Sequence, residues 1–261
     1  MESPSLAEGG QAVSRLPLQE RVILVAALGA ITALSWLYLV WMPMVPSDVG
    51  IVGRLLAVLP TRVASALLTF MMWAVMMVAM MLPSASPMVL TYGRIVRGRA
   101  DTAAYAVWLF AAGYVAIWTA FSAAATAGQL FLEQTSLLRG AAQATPLIGA
   151  LLLVVAGIYQ LTPLKSTCLA HCRSPIGFFM TEWRSGASGA FTMGIKHGAY
   201  CVGCCWMLMG LLFVFGVMNL LWVAALSGLV LLEKLAPFGR GISRASGILM
   251  LAGAIALVMH H

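Results

Sequence analysis

Long apolar runs dominate the chain, and polar residues are confined to short stretches between them. A helix of about 20 apolar residues is long enough to cross the ~30 Å hydrocarbon core of a bilayer. The pattern therefore predicts an all-α, polytopic membrane helix bundle. Its expected spans are 22–42, 67–90, 103–127, 147–162, 199–217, 219–232 and 243–259. The sixth run follows the fifth with almost no loop, so seven spans are favoured and six are the alternative.

The chain is predicted to form one domain, because no linker or internal repeat divides it. The transmembrane domain covers residues 22–261. A cytoplasmic segment, residues 1–21, precedes it, and the acidic residues Glu2, Glu8 and Glu20 make this segment unlike a cleaved signal peptide. The third run is rich in Gly and Ala, which permits close helix packing within one chain or between chains.

Composition and charge agree with a membrane protein. The chain is 62% hydrophobic and 9% charged, whereas a soluble domain carries roughly a quarter charged residues. The net charge of +7 does not indicate nucleic acid, because the basic residues lie in short loops. With seven spans, three basic residues lie on one side, Arg54, Arg62 and Arg139. Twelve lie on the side that holds the N-terminus: Arg15, Arg21, Arg94, Arg97, Arg99, Lys165, Arg173, Arg184, Lys196, Lys234, Arg240 and Arg244. Positive loops stay in the cytoplasm, so the N-terminus is expected there.

The second span, LLTFMMWAVMMVAMMLPSASP, contains six methionines in three doublets, at 71, 72, 76, 77, 80 and 81. At 100° per residue, four of them fall within an arc of about 140°: Met72, Met76, Met77 and Met80. Methionine also fills irregular gaps between helices, which is the alternative interpretation. Thioethers are soft, neutral ligands that select Cu(I). Pro83 and Pro87 are expected to break this helix, and the carbonyls they free must be satisfied inside the protein.

All five cysteines fall in two clusters, and each cluster contains a histidine. After the predicted break at Pro163 come Cys168, His171 and Cys172, at i, i+3 and i+4, which face the same way on a helical turn. The fifth span opens with KHGAYCVGCCW, in which four side chains share an arc of ~100°: His197, Cys201, Cys204 and Cys205. Packing as small hydrophobes explains one or two cysteines, but not this clustering.

Both Cys/His clusters are expected on one side of the membrane, because the fourth span exits there and the fifth enters. The proline end of the second span reaches the same side. Thiolates and imidazole suit Cu(I) and zinc alike, and the methionines favour copper. Cu(I) is therefore the predicted ligand, with zinc as the weaker alternative.

Three linked motifs, MMWAVMMVAMMLPSASP, YQLTPLKSTCLAHCRSP and GAYCVGCCWMLMG, resemble a family of bacterial predicted metal-binding integral membrane proteins. The resemblance spans residues 70 to 210 and includes all the candidate ligands. A well-described member of that family is a membrane copper chaperone associated with a bacterial tyrosinase. The resemblance implies a non-enzymatic copper-handling protein of the bacterial cytoplasmic membrane, surrounded by lipid and acting on a copper-dependent client protein.

Three functions are compatible with these residues: a copper chaperone, a Cu(I) transporter that uses the methionine stripe, and a membrane thiol–disulfide oxidoreductase that uses Cys201 and Cys204. The oxidoreductase gives the six methionines no role. Active transport lacks a nucleotide-binding P-loop, and the carboxylates that might couple protons, Glu133, Glu182 and Glu233, are expected at or beyond span ends. A structural zinc site is a weaker fourth possibility.

Overall fold

The computed structural model describes residues 18–42, 59–97, 103–139 and 142–259, which are almost entirely helical. A two-stranded antiparallel hairpin, β1 (Leu138–Arg139) and β2 (Gln143–Ala144), follows the third helix. Most of the predicted N-terminal segment lies outside the described residues, as do Arg15, Arg54 and Arg99. The helices are α1 (Leu18–Trp41), α2 (Thr61–Arg97), α3 (Ala103–Gln134), α4 (Pro146–Leu161), α5 (Pro163–Arg173), α6 (Pro175–Glu182), α7 (Gly186–Gly210), α8 (Leu212–Phe215), α9 (Leu220–Leu235) and α10 (Gly239–Met259).

Five stretches in these ranges are long and apolar enough to cross a membrane: Gln19–Trp41, Thr61–Val96, Tyr105–Gln134, Gly186–Phe215 and Gly239–Met259. The pair α4 and α5, bent by 64°, is a sixth candidate. An all-α, multi-pass helix bundle is therefore confirmed. The predicted count of seven is not, because α9 has only 16 residues and is shorter than a typical span.

Helix α2 continues through both prolines to Arg97, so the predicted break is wrong. A proline removes the donor for the carbonyl four residues earlier, which leaves the carbonyls of Ala79 and Pro83 without their usual partner. The indole Nε1 of Trp36 on α1 donates to the Ala79 oxygen (3.2 Å). The Ser86 hydroxyl donates to the Pro83 oxygen (2.8 Å). The freed carbonyls are satisfied inside the protein, as expected, without ending the helix.

Helices α3 and α7 pack backbone to backbone. A Cβ added to Gly113 of α3 would lie 2.3 Å from the carbonyl oxygen of Phe191, and one added to Gly194 of α7 would lie 2.1 Å from that of Phe110. Neither position has room for any side chain. The close packing predicted for the Gly- and Ala-rich third run therefore occurs within the chain, against the helix that carries most of the cysteines.

The direction of α7 follows from its contacts with α4. The Tyr159 ring lies 5.6 Å from that of Trp206. At the opposite end of α4, a Cβ on Gly149 would lie 3.6 Å from Val214 of α8. A residue late in α4 therefore faces an earlier residue of the α7–α8 stretch, and the two stretches run antiparallel.

Helix α10 is also antiparallel to α4. Gln160, near the end of α4, donates to the Ser246 hydroxyl near the beginning of α10 (2.7 Å). A Cβ on Gly149, near the beginning of α4, would lie 3.4 Å from Leu257 near the end of α10. Helices α7 and α10 consequently run in the same direction.

Candidate metal centre

Helix α7 carries one cluster of predicted ligands on its buried side. His197, Cys201, Cys204 and Cys205, the four side chains that were predicted to share one arc, are all buried. The Cys204 and Cys205 thiols donate to the carbonyl oxygen of Cys201, at 3.1 and 2.9 Å. The helix begins at Gly186, so this cluster lies well inside it and not at its opening, where the expected 199–217 span placed it.

The bend between α4 and α5 brings the second cysteine cluster to α7. Thr162 lies at the bend, and its hydroxyl accepts a hydrogen bond from the backbone N–H of Lys165 (3.3 Å). The Cys172 Sγ atom lies 4.0 Å from that of Cys204. Cys168 packs on Gly203 of α7, where an added Cβ would be 3.0 Å from its sulfur. Cys168 and Cys172 are half-buried, and all five cysteines are free thiols.

Helix α2 supplies thioethers to the same core. The four stripe methionines Met72, Met76, Met77 and Met80 are buried in the hydrophobic cluster that contains Cys201, Cys204 and Cys205. The thioether in direct contact with a thiol is a fifth, Met81, whose Sδ accepts from the Cys205 Sγ (3.9 Å). Met81 lies at the edge of the predicted arc and was not among the predicted ligands. Met71 is 46% exposed.

The two histidines have different surroundings. The His171 ring stacks on Tyr200 (4.3 Å between centroids), and its Nδ1 lies 3.0 Å from the Thr167 carbonyl oxygen. His197 is buried among aromatic rings, with Tyr114 at 5.4 Å. Its Nδ1 and the Nε1 of Trp118 are the two buried side-chain polar atoms in the described ranges that have no hydrogen-bond partner.

Two polar side chains beside the thiols were not predicted from sequence. The Nζ of Lys234 lies 2.9 Å from the Cys201 Sγ and 2.9 Å from the Ser84 Oγ. The Tyr114 hydroxyl lies 3.1 Å from the same sulfur and donates to the Met81 carbonyl oxygen (3.1 Å). Lys234 was expected in a loop but is only 6% exposed. The helix ends at Leu235, just before Pro237, and this proline was the available signal that Lys234 still belongs to α9.

A buried ion pair joins α5 to α9. The Nζ of Lys165 lies 2.7 Å from the Glu233 Oε2, and the two side chains are 1% and 2% exposed. The Gln160 amide donates to the Glu233 Oε1 (2.9 Å), and its oxygen accepts from Lys165. Lys165 was expected in a loop, and Glu233 was expected at or beyond a span end. Instead they join α4, α5 and α9 inside the bundle.

The sulfur atoms approach one another in pairs. Among the described residues, no three His, Cys, Asp or Glu side chains form a group arranged to hold a metal ion. Metal–thiolate bonds of ~2.3 Å span at most about 4.6 Å between two sulfurs. The Cys172–Cys204 distance of 4.0 Å and the Cys205–Met81 distance of 3.9 Å are both within that limit. Two-sulfur coordination suits the soft Cu(I) ion, whereas structural zinc sites use four ligands.

Comparison with known proteins identifies a family. No curated protein sequence and no solved structure matches the chain. Residues 70–257 match the PpoB2 family, described as copper chaperones. The match covers the part of α2 that carries the methionines, and every helix that carries a cysteine. The chain therefore belongs to the PpoB2 copper chaperone family.

Proposed function

We propose that this protein holds Cu(I) within its helix bundle and delivers it to a copper-dependent enzyme, such as a tyrosinase-like oxidase. The observation that carries the proposal is the pairing of sulfur atoms from three separate helices. Cys172 of α5 meets Cys204 of α7, and Cys205 of α7 meets Met81 of α2. Membership of a copper chaperone family supports the same role.

The ligand set we propose includes all the predicted residues and adds Met81. The cysteines bind the ion, and the unpartnered Nδ1 of His197 and the Nε2 of His171 are further donors near them. The remaining methionines, Met72, Met76, Met77 and Met80, provide weaker thioether ligands along α2. Their neutrality lets them lie in a membrane helix at little cost in free energy, and their softness favours Cu(I) over zinc.

A thiol–disulfide oxidoreductase is the competing function for Cys201 and Cys204. A lysine beside a cysteine favours the reactive thiolate, and Lys234 lies 2.9 Å from the Cys201 Sγ. However, a reactive cysteine must also be partly exposed to meet its substrate, and Cys201 and Cys204 are almost fully buried. A Cu(I) transporter uses the same ligands as a chaperone, and it differs in carrying the ion across the membrane.

Metal binding is tested with the purified full-length protein in detergent under reducing, anaerobic conditions. Wild type is expected to take Cu(I) from a competing chelator. The variant Cys201→Ser, Cys204→Ser, Cys205→Ser is expected to lose that binding, because a hydroxyl is a poor ligand for a soft ion. Size-exclusion chromatography and thermal unfolding establish that the variant is folded. An unchanged copper stoichiometry in the folded variant contradicts the proposal.

Delivery is tested by co-expression with a tyrosinase-like oxidase at limiting copper. The chaperone is expected to raise the copper content and activity of the oxidase, and the triple Ser variant is not. Copper uptake into sealed vesicles that contain the purified protein separates the transporter from the chaperone. Uptake without any effect on the oxidase would favour transport.

A further inference from the structure

Lys234 is a buried cation whose nearest acidic neighbour is a thiol. Its side chain is 6% exposed, and its Nζ contacts the Cys201 Sγ and the Ser84 Oγ, both at 2.9 Å. The adjacent Glu233 directs its carboxylate to Lys165. Within the described part of the chain, Lys234 forms no salt bridge with a carboxylate. The thiols of the candidate metal centre are therefore the acidic groups available to balance its charge.

The ammonium is held in place by groups from two other helices. The Ser84 hydroxyl donates to the Met81 carbonyl oxygen (2.8 Å), so its lone pairs accept from Lys234. Cys201 on α7 provides the second contact. Ser227, two turns earlier on α9, donates to the Met80 carbonyl oxygen (3.5 Å) and fixes the helix against α2. The charge of Lys234 therefore stays beside the sulfurs.

The charge of the bound ion decides whether the net charge of the ion, the thiolates and the Lys234 ammonium is zero. A buried charge is costly unless an opposite charge compensates it. At the Cys172–Cys204 pair, a monovalent ion held by the two thiolates has a net charge of −1. The ammonium of Lys234, beside Cys201 one helical turn before Cys204, reduces it to zero. A divalent ion held by the same two thiolates is already neutral, and the ammonium then leaves an uncompensated charge of +1 inside the bundle.

We propose that Lys234 is a specificity residue, which makes the sulfur site selective for a monovalent ion over a divalent one. This inference rests on the proposed function, because it requires that the site bind Cu(I). It assigns the discrimination between Cu(I) and Zn(II) to charge as well as to ligand softness.

The experiment compares Cu(I) and Zn(II) affinities by chelator competition in wild type, Lys234→Met and Lys234→Gln. Methionine removes the charge and keeps an unbranched side chain, and glutamine also keeps a hydrogen-bond donor for Ser84. Lys196→Met is the matched control, because Lys196 lies on α7, is 37% exposed and pairs with the carboxylate of Glu182. All four proteins are compared at one pH, with folding checked by thermal unfolding.

Both Lys234 variants are expected to lower the ratio of Cu(I) to Zn(II) affinity by roughly tenfold or more, equivalent to about 1.4 kcal/mol, while Lys196→Met keeps the wild-type ratio. An unchanged ratio in a folded Lys234 variant overturns the inference, even where both affinities fall together. Wild-type protein that binds no Cu(I) instead overturns the proposed function, and the inference with it.

Discussion

At the scale of single residues, Met81 has a different position from the other methionines of α2. Its sulfur contacts the Cys205 thiol, and its carbonyl oxygen accepts hydrogen bonds from Tyr114 and Ser84. The backbone of this methionine is thereby fixed next to the thiols. Met71, ten residues earlier, is exposed. The two methionines form a natural comparison for the role of a thioether in binding.

We expect Met81→Leu to weaken Cu(I) binding by roughly tenfold (about 1.4 kcal/mol), because leucine preserves most of the volume and removes the ligand atom. Met71→Leu is the control and should bind like wild type. Chelator competition measures both.

The combined variant Met72→Leu, Met76→Leu, Met77→Leu, Met80→Leu is expected to fold and to lose activation of the copper-dependent client. A client activated as well as by wild type would assign these four methionines to packing alone.

The sequence was sufficient to predict that the α7 cysteines share one helix face and that the stripe methionines share another, because a helix of known period fixes which residues share a face. It was not sufficient to predict the contact of Lys234 with Cys201 or that of Met81 with Cys205. The position of Lys234 beside Cys201 depends on how α9 lies against α2 and α7, and no local pattern encodes that packing. Met81 sits at the edge of the stripe, so its contact with Cys205 depends on the distance and rotation between α2 and α7.

At the scale of helices, the contact of α3 with α7 leaves no room for a side chain beside the thiols. A Cβ at Gly113 or Gly194 would overlap a backbone carbonyl of the facing helix. A side chain can rotate away from such an overlap, but backbone cannot. The two helices must therefore separate to accept any larger residue, and Tyr114 would move away from Cys201 with them.

We expect Gly113→Ala to lower the free energy of unfolding by about 1–3 kcal/mol, the usual cost of overpacking, and to weaken Cu(I) binding. Gly128→Ala is the matched control on the same helix, because nothing lies within 4 Å of a Cβ added there. Thermal unfolding in detergent measures the first effect and chelator competition the second. Equal unfolding temperatures for the two variants would contradict the close contact between the backbones of α3 and α7 at Gly113.

The proline-containing part of α2 shows where a local rule is overridden by packing. Proline breaks a helix when the carbonyl it frees has no other donor. Here α1 supplies a donor through Trp36, and a serine of α2 itself supplies another. The sequence predicted that the carbonyls need partners, but only the packed structure identifies them. Because both carbonyls are satisfied, α2 continues beyond the level of the thiols.

At the scale of the whole molecule, the directions of the helices bear on the number of membrane crossings. Helices α7 and α10 run the same way, as their antiparallel contacts with α4 require. The chain between them must return to the side from which α7 started. Helix α9, whose 16 residues extend about 24 Å, is the segment that we expect to make this return.

We therefore predict that the N-terminus and the C-terminus lie on opposite sides of the membrane, with the N-terminus in the cytoplasm. Basic residues remain concentrated on the N-terminal side even when the buried Lys165 and Lys234 are left out of the comparison. Topology reporters fused separately to each terminus measure this. Two reporters active on the same side would instead indicate six crossings, with α9 failing to span.

The exposure of the sulfurs changes across the candidate metal centre. Cys168 and Cys172 on α5 are half-buried, whereas Cys204, Cys205 and Met81 are closed off from solvent. On the proposed function, a copper ion cannot leave the inner sulfurs by escaping into water. It must exchange one sulfur ligand for another at α5, so its release requires an encounter with a ligand of the acceptor protein. Such a site keeps copper from free solution and gives it up at a rate set by the client.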